Sequence, residues 1–78
     1  MSSRCTDTIA IKKLMVENGV EQVKVLAEIT GVSRNTLGKV LKGKAQPSAD
    51  VMERLIDALR IPHSQAGTIF FSENLRNE

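Results

Sequence analysis

The chain has 78 residues, enough for one small domain and too few for a second hydrophobic core. Hydrophobic residues make up 41% and charged residues 26% of the composition, which argues against a disordered chain. The net charge of +2 at pH 7 favours an anionic partner only weakly, and a single cysteine, Cys5, excludes an internal disulfide bond and a cysteine-rich zinc site.

The first two predicted helices are short and amphipathic. The first covers residues 9–18 and is ended by Gly19, and the second begins at residue 21 or 22 and ends at residue 29. The first helix has three candidate N-caps, which are Thr6, Asp7 and Thr8. The apolar side chains at helical spacing, which we expect to face the core, are Ile11, Leu14, Met15, Val23, Leu26 and Ala27.

A tight turn and a third helix follow. We expect Gly31 to supply the positive φ that ends the second helix, and Ser33 to cap a third helix over residues 34–42. Gly43 then ends this helix, and residues 44–47 form a loop. The side chains predicted on its inner face are Leu37, Val40 and Leu41.

Two more helices complete the predicted bundle. Ser48 caps a fourth helix over residues 49–59, which Pro62 terminates. Ser64 is expected to cap a weaker fifth helix that ends near Phe71. The inward side chains of the fourth helix are Val51, Leu55, Ile56 and Leu59.

These signals together predict one all-α domain, a compact five-helix bundle. No strand is expected, because β-branched residues recur at helical spacing and not in alternation. The domain occupies residues 1–78, with its core at about residues 8–71 and a frayed polar tail at residues 72–78. No apolar run approaches the roughly 18 residues of a membrane span, and the first residues lack the apolar core of a signal peptide. We therefore expect a cytoplasmic protein with no membrane partner.

Residues 38–45 come close to the pattern of a nucleotide-binding phosphate loop, which ends in glycine, lysine and then serine or threonine. The match fails at Ala45, which stands where the metal-binding hydroxyl belongs. Such a loop also joins a strand to a helix, whereas Gly38 falls inside the helix that Ser33 caps. We therefore predict no nucleotide site.

No other catalytic or metal site is expected. His63 is the only histidine, which excludes a two-histidine metal site, and its neighbours Pro62 and Ser64 place it in a surface turn. The carboxylates fall on the outer faces of predicted helices and form no converging pair. The sequence predicts no enzyme, no cofactor and no small-molecule substrate.

The charge distribution indicates a basic surface in the middle of the chain. Residues 29–49 hold no carboxylate and carry four cations, Arg34, Lys39, Lys42 and Lys44. A solvated basic face would also explain this segment. However, the segment coincides with the second half of a helix-turn-helix pattern, in which a small Ala27 precedes Gly31 by four residues. The small residue lets two helices cross closely, and the glycine makes the sharp turn between them.

Residues 9–61 resemble the helix-turn-helix domain of the Cro/cI-type phage repressors, the XRE-like family. The resemblance is carried by LAEITGVSRNTLGKVLKG (residues 26–43), by Pro47-Ser48 and by ERLIDALRIP (residues 53–62). It implies a lambda repressor-like DNA-binding domain that regulates transcription, with its third helix in the major groove of double-stranded operator DNA, commonly as a homodimer. In size the chain is most similar to a stand-alone Cro-like regulator, which implies a place at the nucleoid of a bacterial host.

Three features depart from the family pattern. The glutamine that often opens the second helix would stand at Val23, but Gln22 lies one residue earlier, so either the preceding connection is longer or the contact is lost. The family's arginine and glutamate ion pair corresponds to Met15 and Leu41, where we expect an apolar contact instead. Two extra residues before Ile69 predict an unusual fifth helix.

The outer side of the third helix supplies the predicted DNA contacts. Arg34 and Asn35 are the best base readers, because Arg matches guanine and Asn matches adenine in bidentate fashion, although a phosphate contact alone would also explain Arg34. Gly38 is either a neutral position or one that lets the helix backbone approach a base edge. The full predicted DNA-binding set is Gln22, Ser33, Arg34, Asn35, Thr36, Gly38, Lys39, Lys42 and Lys44.

Two expectations concern protein partners. Phe70 and Phe71 point about 100° apart on a helix, so one is expected in the core and the other, with Ile69, in a homodimer seam. Alternatively, both phenylalanines belong to the core. The competing function is a protein-interaction module of the same fold, of antirepressor or antitoxin type, which binds a partner repressor or toxin.

Overall fold

Five α-helices form the domain, and the two ends of the fold meet in a short strand pair. The structure, a computed structural model, describes residues 4–73. In chain order its elements are β1 (Arg4–Cys5), α1 (Thr8–Glu17), α2 (Val23–Thr30), α3 (Arg34–Leu41), α4 (Ala49–Leu59), α5 (His63–Phe70) and β2 (Ser72–Glu73). The predicted all-α bundle of five helices is confirmed; the bounds of α4 are those predicted, and those of the other helices differ by a residue or two.

The strand pair was not predicted. β1 and β2 form an antiparallel ladder, and beside it the Asp7 N–H donates to the Ile69 carbonyl at 2.7 Å. Strands of two residues are too short to show an alternating pattern in the sequence. They pair because the folded helices bring the two segments together. Residues 72–73 therefore belong to the fold and not to a frayed tail, and residues 74–78 of that predicted tail lie outside the described residues.

The helices pack around one hydrophobic core. Its fully buried side chains are Ile11, Leu26, Leu37, Val40, Leu55, Leu59 and Phe70. Each contributes about 1.5–3 kcal/mol by leaving water. Met15 and Leu41 are buried in the same core, so apolar side chains occupy both places where the resembling family has its ion pair.

Side-chain caps start three of the helices. At α1 the Asp7 carboxylate accepts the Ala10 N–H at 3.1 Å, so Asp7 is the cap among the three candidates. Ser33 caps α3 and Ser48 caps α4, as predicted. Each cap satisfies a backbone N–H that has no partner within its own helix.

The connection between α4 and α5 differs from the prediction. α4 ends because Arg60 adopts the left-handed conformation, with φ of 54°, before the chain reaches Pro62. α5 then begins at His63 with Pro62 at its N-cap position, and it has no side-chain cap. The predicted cap, Ser64, therefore lies inside the helix, two residues after the actual N-cap position.

The residues at the end of α5 that were predicted for the core and for a dimer seam divide between the core and the surface. Ile69 and Phe70 are 6% and 1% exposed, whereas Phe71 is 48% exposed. The helical rotation between successive side chains separates Phe70 from Phe71, as predicted. Phe70 is thus the phenylalanine of the core and Phe71 the exposed one, whereas Ile69 is also a core residue of the single chain, which corrects its place in the seam.

Asn18 joins the ends of α1 and α4. Its Nδ2 donates to the Leu14 carbonyl at 2.8 Å and to the Leu59 carbonyl at 3.0 Å. Leu59 is the last residue of α4, so its carbonyl has no partner within that helix. The half-buried amide therefore satisfies a helix end and also ties two helices together.

Replacing Asn18 with Ala should lower the free energy of unfolding by about 1–3 kcal/mol, because the Leu59 carbonyl loses this donor in a partly buried place. Urea denaturation followed by circular dichroism measures the change. Gln65→Ala is the control, because Gln65 is exposed on α5 and its loss should change stability by less than about 0.5 kcal/mol. Equal stability of the two variants would contradict the bridging role of Asn18.

Candidate DNA-binding surface

The turn between α2 and α3 is closed by its own backbone and one hydroxyl. Gly31 has a φ of 77°, as predicted, and its N–H donates to the Ala27 carbonyl at 2.8 Å. The Thr30 hydroxyl donates to the Leu26 carbonyl at 2.8 Å and accepts the Val32 N–H at 3.2 Å. These bonds fix where α3 begins relative to α2.

Arg54 of α4 contacts this turn through a hydrogen bond to its backbone. Its Nη1 donates to the Thr30 carbonyl at 2.8 Å, and its Nε donates to the Asp50 carboxylate at 3.0 Å. A cation at the end of α2 also interacts favourably with the helix dipole. The contact with Thr30 spans 24 residues, so no local sequence signal could have revealed it.

The start of α3 exposes two hydroxyl groups. The Ser33 Oγ accepts the Thr36 N–H at 3.2 Å and donates to the Thr36 Oγ1 at 3.0 Å. Both side chains are exposed. Hydroxyls at the N-terminus of a helix are suited to a phosphate oxygen, because the helix dipole favours negative charge there.

The rest of the predicted set occupies the outer side of α3. Leu37, Val40 and Leu41 are buried and face the core, as predicted. The opposite side therefore points to solvent. Its exposed residues are Asn35, Lys39 and Lys42, with Gly38 half-buried beside them, and Arg34 and Thr36 are exposed in the first turn of the helix.

Neither the backbone conformation at Gly38 nor the space around it within this chain requires a glycine. It lies in the helical region, and a Cβ added there would meet no atom within 4 Å. Glycine inside a helix costs about 1 kcal/mol relative to alanine. The folded chain alone therefore does not explain why this position has no side chain.

The loop after α3 keeps Lys44 beside the helix. Gly43, with φ of 74°, donates to the Val40 carbonyl at 3.0 Å, and the Lys44 N–H donates to the Lys39 carbonyl at 2.9 Å. Lys42 is the C-cap residue between them. Three exposed lysines thus follow one another around the end of α3.

Gln22 lies apart from α3 in the chain, at the N-cap position of α2. Its side chain is exposed and makes no capping hydrogen bond. Val23, where the resembling family often has glutamine, is half-buried against the core. A DNA contact by Gln22 stays a prediction.

Glu28 is not among the residues predicted at the DNA-binding surface, but it lies at its edge. It lines a groove between α2 and α3 together with Lys24, Ala27 and Arg34. The segment around α3 has no carboxylate in sequence, but folding brings one from α2 to its edge. Glu28 therefore lowers the positive potential near Arg34, at the N-terminal end of the surface.

Comparison with known proteins identifies the family. The sequence profile of the helix-turn-helix family matches residues 11–65, more than half of the chain, from α1 into α5. No curated protein and no solved structure shows a significant similarity to the chain. Within residues 4–73, no helix is long and apolar enough to cross a membrane. The family consists of DNA-binding transcription regulators and is not typically enzymatic, and this chain belongs to the XRE-like helix-turn-helix family.

Proposed function

We propose that the chain is a sequence-specific repressor of the Cro-like phage type, which binds double-stranded operator DNA with α3 in the major groove. The proposal depends above all on the exposed basic and polar side of α3, opposite its three buried residues. Eight residues make a helix about 12 Å long. The major groove is about 12 Å wide and admits such a helix.

Base reading is assigned to the first turn of α3. Arg34 and Asn35 are both exposed there, and each carries a planar group that can form two parallel hydrogen bonds with a base edge. Lys39, one turn later, reaches either a guanine or a phosphate. For Arg34 the competing role is a phosphate contact only.

Backbone contacts are assigned to residues at the two ends of α3. Ser33 and Thr36 present hydroxyls at its start, and Lys42 and Lys44 present cations at its end. Gln22 at the start of α2 would add a further contact. Such contacts set the register of the protein on DNA and make its affinity depend on salt.

A homodimer is the proposed binding species. Each copy presents one α3, and a symmetric pair would place the two helices about 34 Å apart, one turn of DNA. Phe71, exposed at the end of α5, is the residue of the predicted seam that a second copy could cover. The operator would then be a palindrome.

Selection of duplexes from a random library at low salt, followed by gel shift at several salt concentrations, tests the function. We expect enrichment of one palindromic sequence and weaker binding as salt rises. Equal binding of all sequences would contradict specific regulation.

A protein-interaction module of the same fold is the second candidate. Ile9 and Val16 lie two turns apart on one side of α1 and are 64% and 66% exposed, which would suit a protein partner. The cationic outer side of α3 is not needed for such a partner. Failure of the selection to enrich any duplex would favour this second function.

Lys44→Ala and Arg34→Ala should weaken DNA binding in different ways. Lys44→Ala is expected to weaken binding to all DNA sequences alike, because one phosphate contact is lost. The slope of log affinity against log salt concentration, the salt slope, should become smaller in magnitude by about 1. Arg34→Ala should relax the preference at one base pair by about 1–3 kcal/mol. Titrations with the selected duplex and a scrambled one measure both effects.

Lys12→Ala is the matched control for charge, because Lys12 is an exposed lysine of α1 that lies outside the predicted set. Its salt slope should match that of the unaltered chain. Equal losses of specific and random binding in the Arg34 and Lys44 variants would contradict the assignment of Arg34 to base reading.

Gly38→Ala should raise the free energy of unfolding by about 1 kcal/mol, because the backbone is helical and the new Cβ has room. Gly43→Ala is the matched control. A Cβ there also has room, but φ is 74°, so we expect this variant to lose about 1 kcal/mol. Thermal unfolding of both variants measures the difference.

The affinity of Gly38→Ala for the selected duplex then decides between the two interpretations of the glycine. If the helix backbone approaches a base edge, affinity falls while stability rises. If the position is neutral, affinity stays unchanged. A loss of stability in Gly38→Ala would contradict the helical geometry on which both interpretations depend.

A further inference from the structure

Gln46, in the loop between α3 and α4, connects that loop to both ends of the fold. Its Nε2 donates to the Phe70 carbonyl at 2.5 Å, and its Oε1 accepts the Thr6 hydroxyl at 3.2 Å. Thr6 and Phe70 are 7% and 1% exposed. The two partners lie 40 residues before and 24 residues after Gln46. One carboxamide therefore links three segments that are distant in sequence.

The segments that Gln46 contacts are themselves joined. Thr6 follows β1 and precedes the cap of α1, and Phe70 is the last residue of α5, just before β2. The β1–β2 ladder and the hydrogen bond from the Asp7 N–H to the Ile69 carbonyl hold these two segments together. Gln46 thus fastens the loop to the paired ends of the fold and not to a single helix.

The same loop carries Lys44 between two fixed points. On one side the Lys44 N–H is bonded to the Lys39 carbonyl of α3 at 2.9 Å. On the other side are the side chain of Gln46 and the buried ring of Pro47. Lys44 and Ala45 are exposed between these anchors. A lysine on a loop that is already ordered loses less entropy when it binds a phosphate.

We infer that Gln46 is a positioning residue for the DNA-backbone contact of Lys44, and that it makes DNA affinity depend on the pairing of the two ends of the fold. The inference rests on the proposed function of Lys44. Gln46 uses both polar atoms of its side chain for bonds within the protein. It acts by keeping the loop in one conformation while α3 lies in the groove.

A purely structural role for Gln46 would give a different result. If the residue only stabilised the fold, its loss would lower the protection of all amides together. If it orders the loop, its loss exposes the Lys44 amide while α3 stays protected. The ratio of the exchange rate of the Lys44 amide to that of the Leu37 amide separates the two roles.

The first arm of the experiment needs no DNA. Gln46→Met keeps the length of the side chain and removes both hydrogen bonds, and Thr6→Val removes one of them. By hydrogen exchange, Gln46→Met should raise the Lys44-to-Leu37 ratio on the order of tenfold or more, because it removes both hydrogen bonds that hold the loop. Thr6→Val should raise it less. Asn18→Ala, which removes another carboxamide bridge between elements, should leave the ratio unchanged.

The second arm uses the duplex that the unaltered chain selects from a random library. Gln46→Met should weaken binding roughly two- to thirtyfold and lower the salt slope by about 1. In a chain that already carries Lys44→Ala, Gln46→Met should have almost no further effect, because the contact it positions is gone. Asn18→Ala should bind as the unaltered chain does.

An exchange ratio that stays unchanged in Gln46→Met would overturn the inference. So would affinity losses of Gln46→Met and Lys44→Ala that are fully additive in the double variant. Selection of no duplex by the unaltered chain would instead contradict the proposed function. The exchange arm would still decide whether Gln46 orders the loop. The two failures are therefore distinguishable.

Discussion

Burial of Leu37, Val40 and Leu41 fixes the rotation of α3 about its own axis, and the candidate surface depends on that rotation. Side chains on a helix recur with a period of 3.6 residues, so three buried positions determine which residues point away from the core. Asn35, Lys39 and Lys42 are directed outward for this reason, whereas Arg34, three residues before Leu37, is exposed because it lies in the first turn, at the groove beside α2. The chemistry of the surface is thus set by apolar residues that never touch its partner.

A second constraint concerns the ends of the helices. The last carbonyl groups of any helix have no partner within it. In this domain the final residues of α2, α4 and α5 are Thr30, Leu59 and Phe70, and the carbonyl of each accepts a hydrogen bond from a distant side chain. The three donors are Arg54, Asn18 and Gln46. A small domain with a limited core uses these polar side chains to join its helices.

The features that could be predicted from the sequence are those whose causes lie within a few residues. Asp7, Ser33 and Ser48 cap helices that begin immediately after them, and Gly31 and Gly43 adopt the positive φ that ends a helix. Apolar spacing then assigned the inner faces correctly, because the period of a helix is independent of the rest of the fold.

Other features have causes that lie far away in the chain. Arg54 and Gln46 bond to carbonyls 24 residues away, and Asn18 to one that is 41 residues away. Glu28 reaches the edge of the surface only because α2 crosses α3. The choice between base and phosphate for Arg34 depends on a DNA sequence that the chain does not encode. For these residues, local patterns contain no information about the partner.

The pairing of β1 with β2 has a consequence for the order in which the protein forms during translation. Contacts between α2 and α3 join neighbours in sequence, so they can form as soon as both helices have left the ribosome. β1 is synthesised early, but its partner β2 is Ser72–Glu73. The two strands can therefore pair only when nearly all of the described chain has been synthesised. Closing so long a loop costs only slightly more entropy than closing one of half its length. The ladder that joins the two ends is therefore completed last, after the whole helix-turn-helix segment has been made.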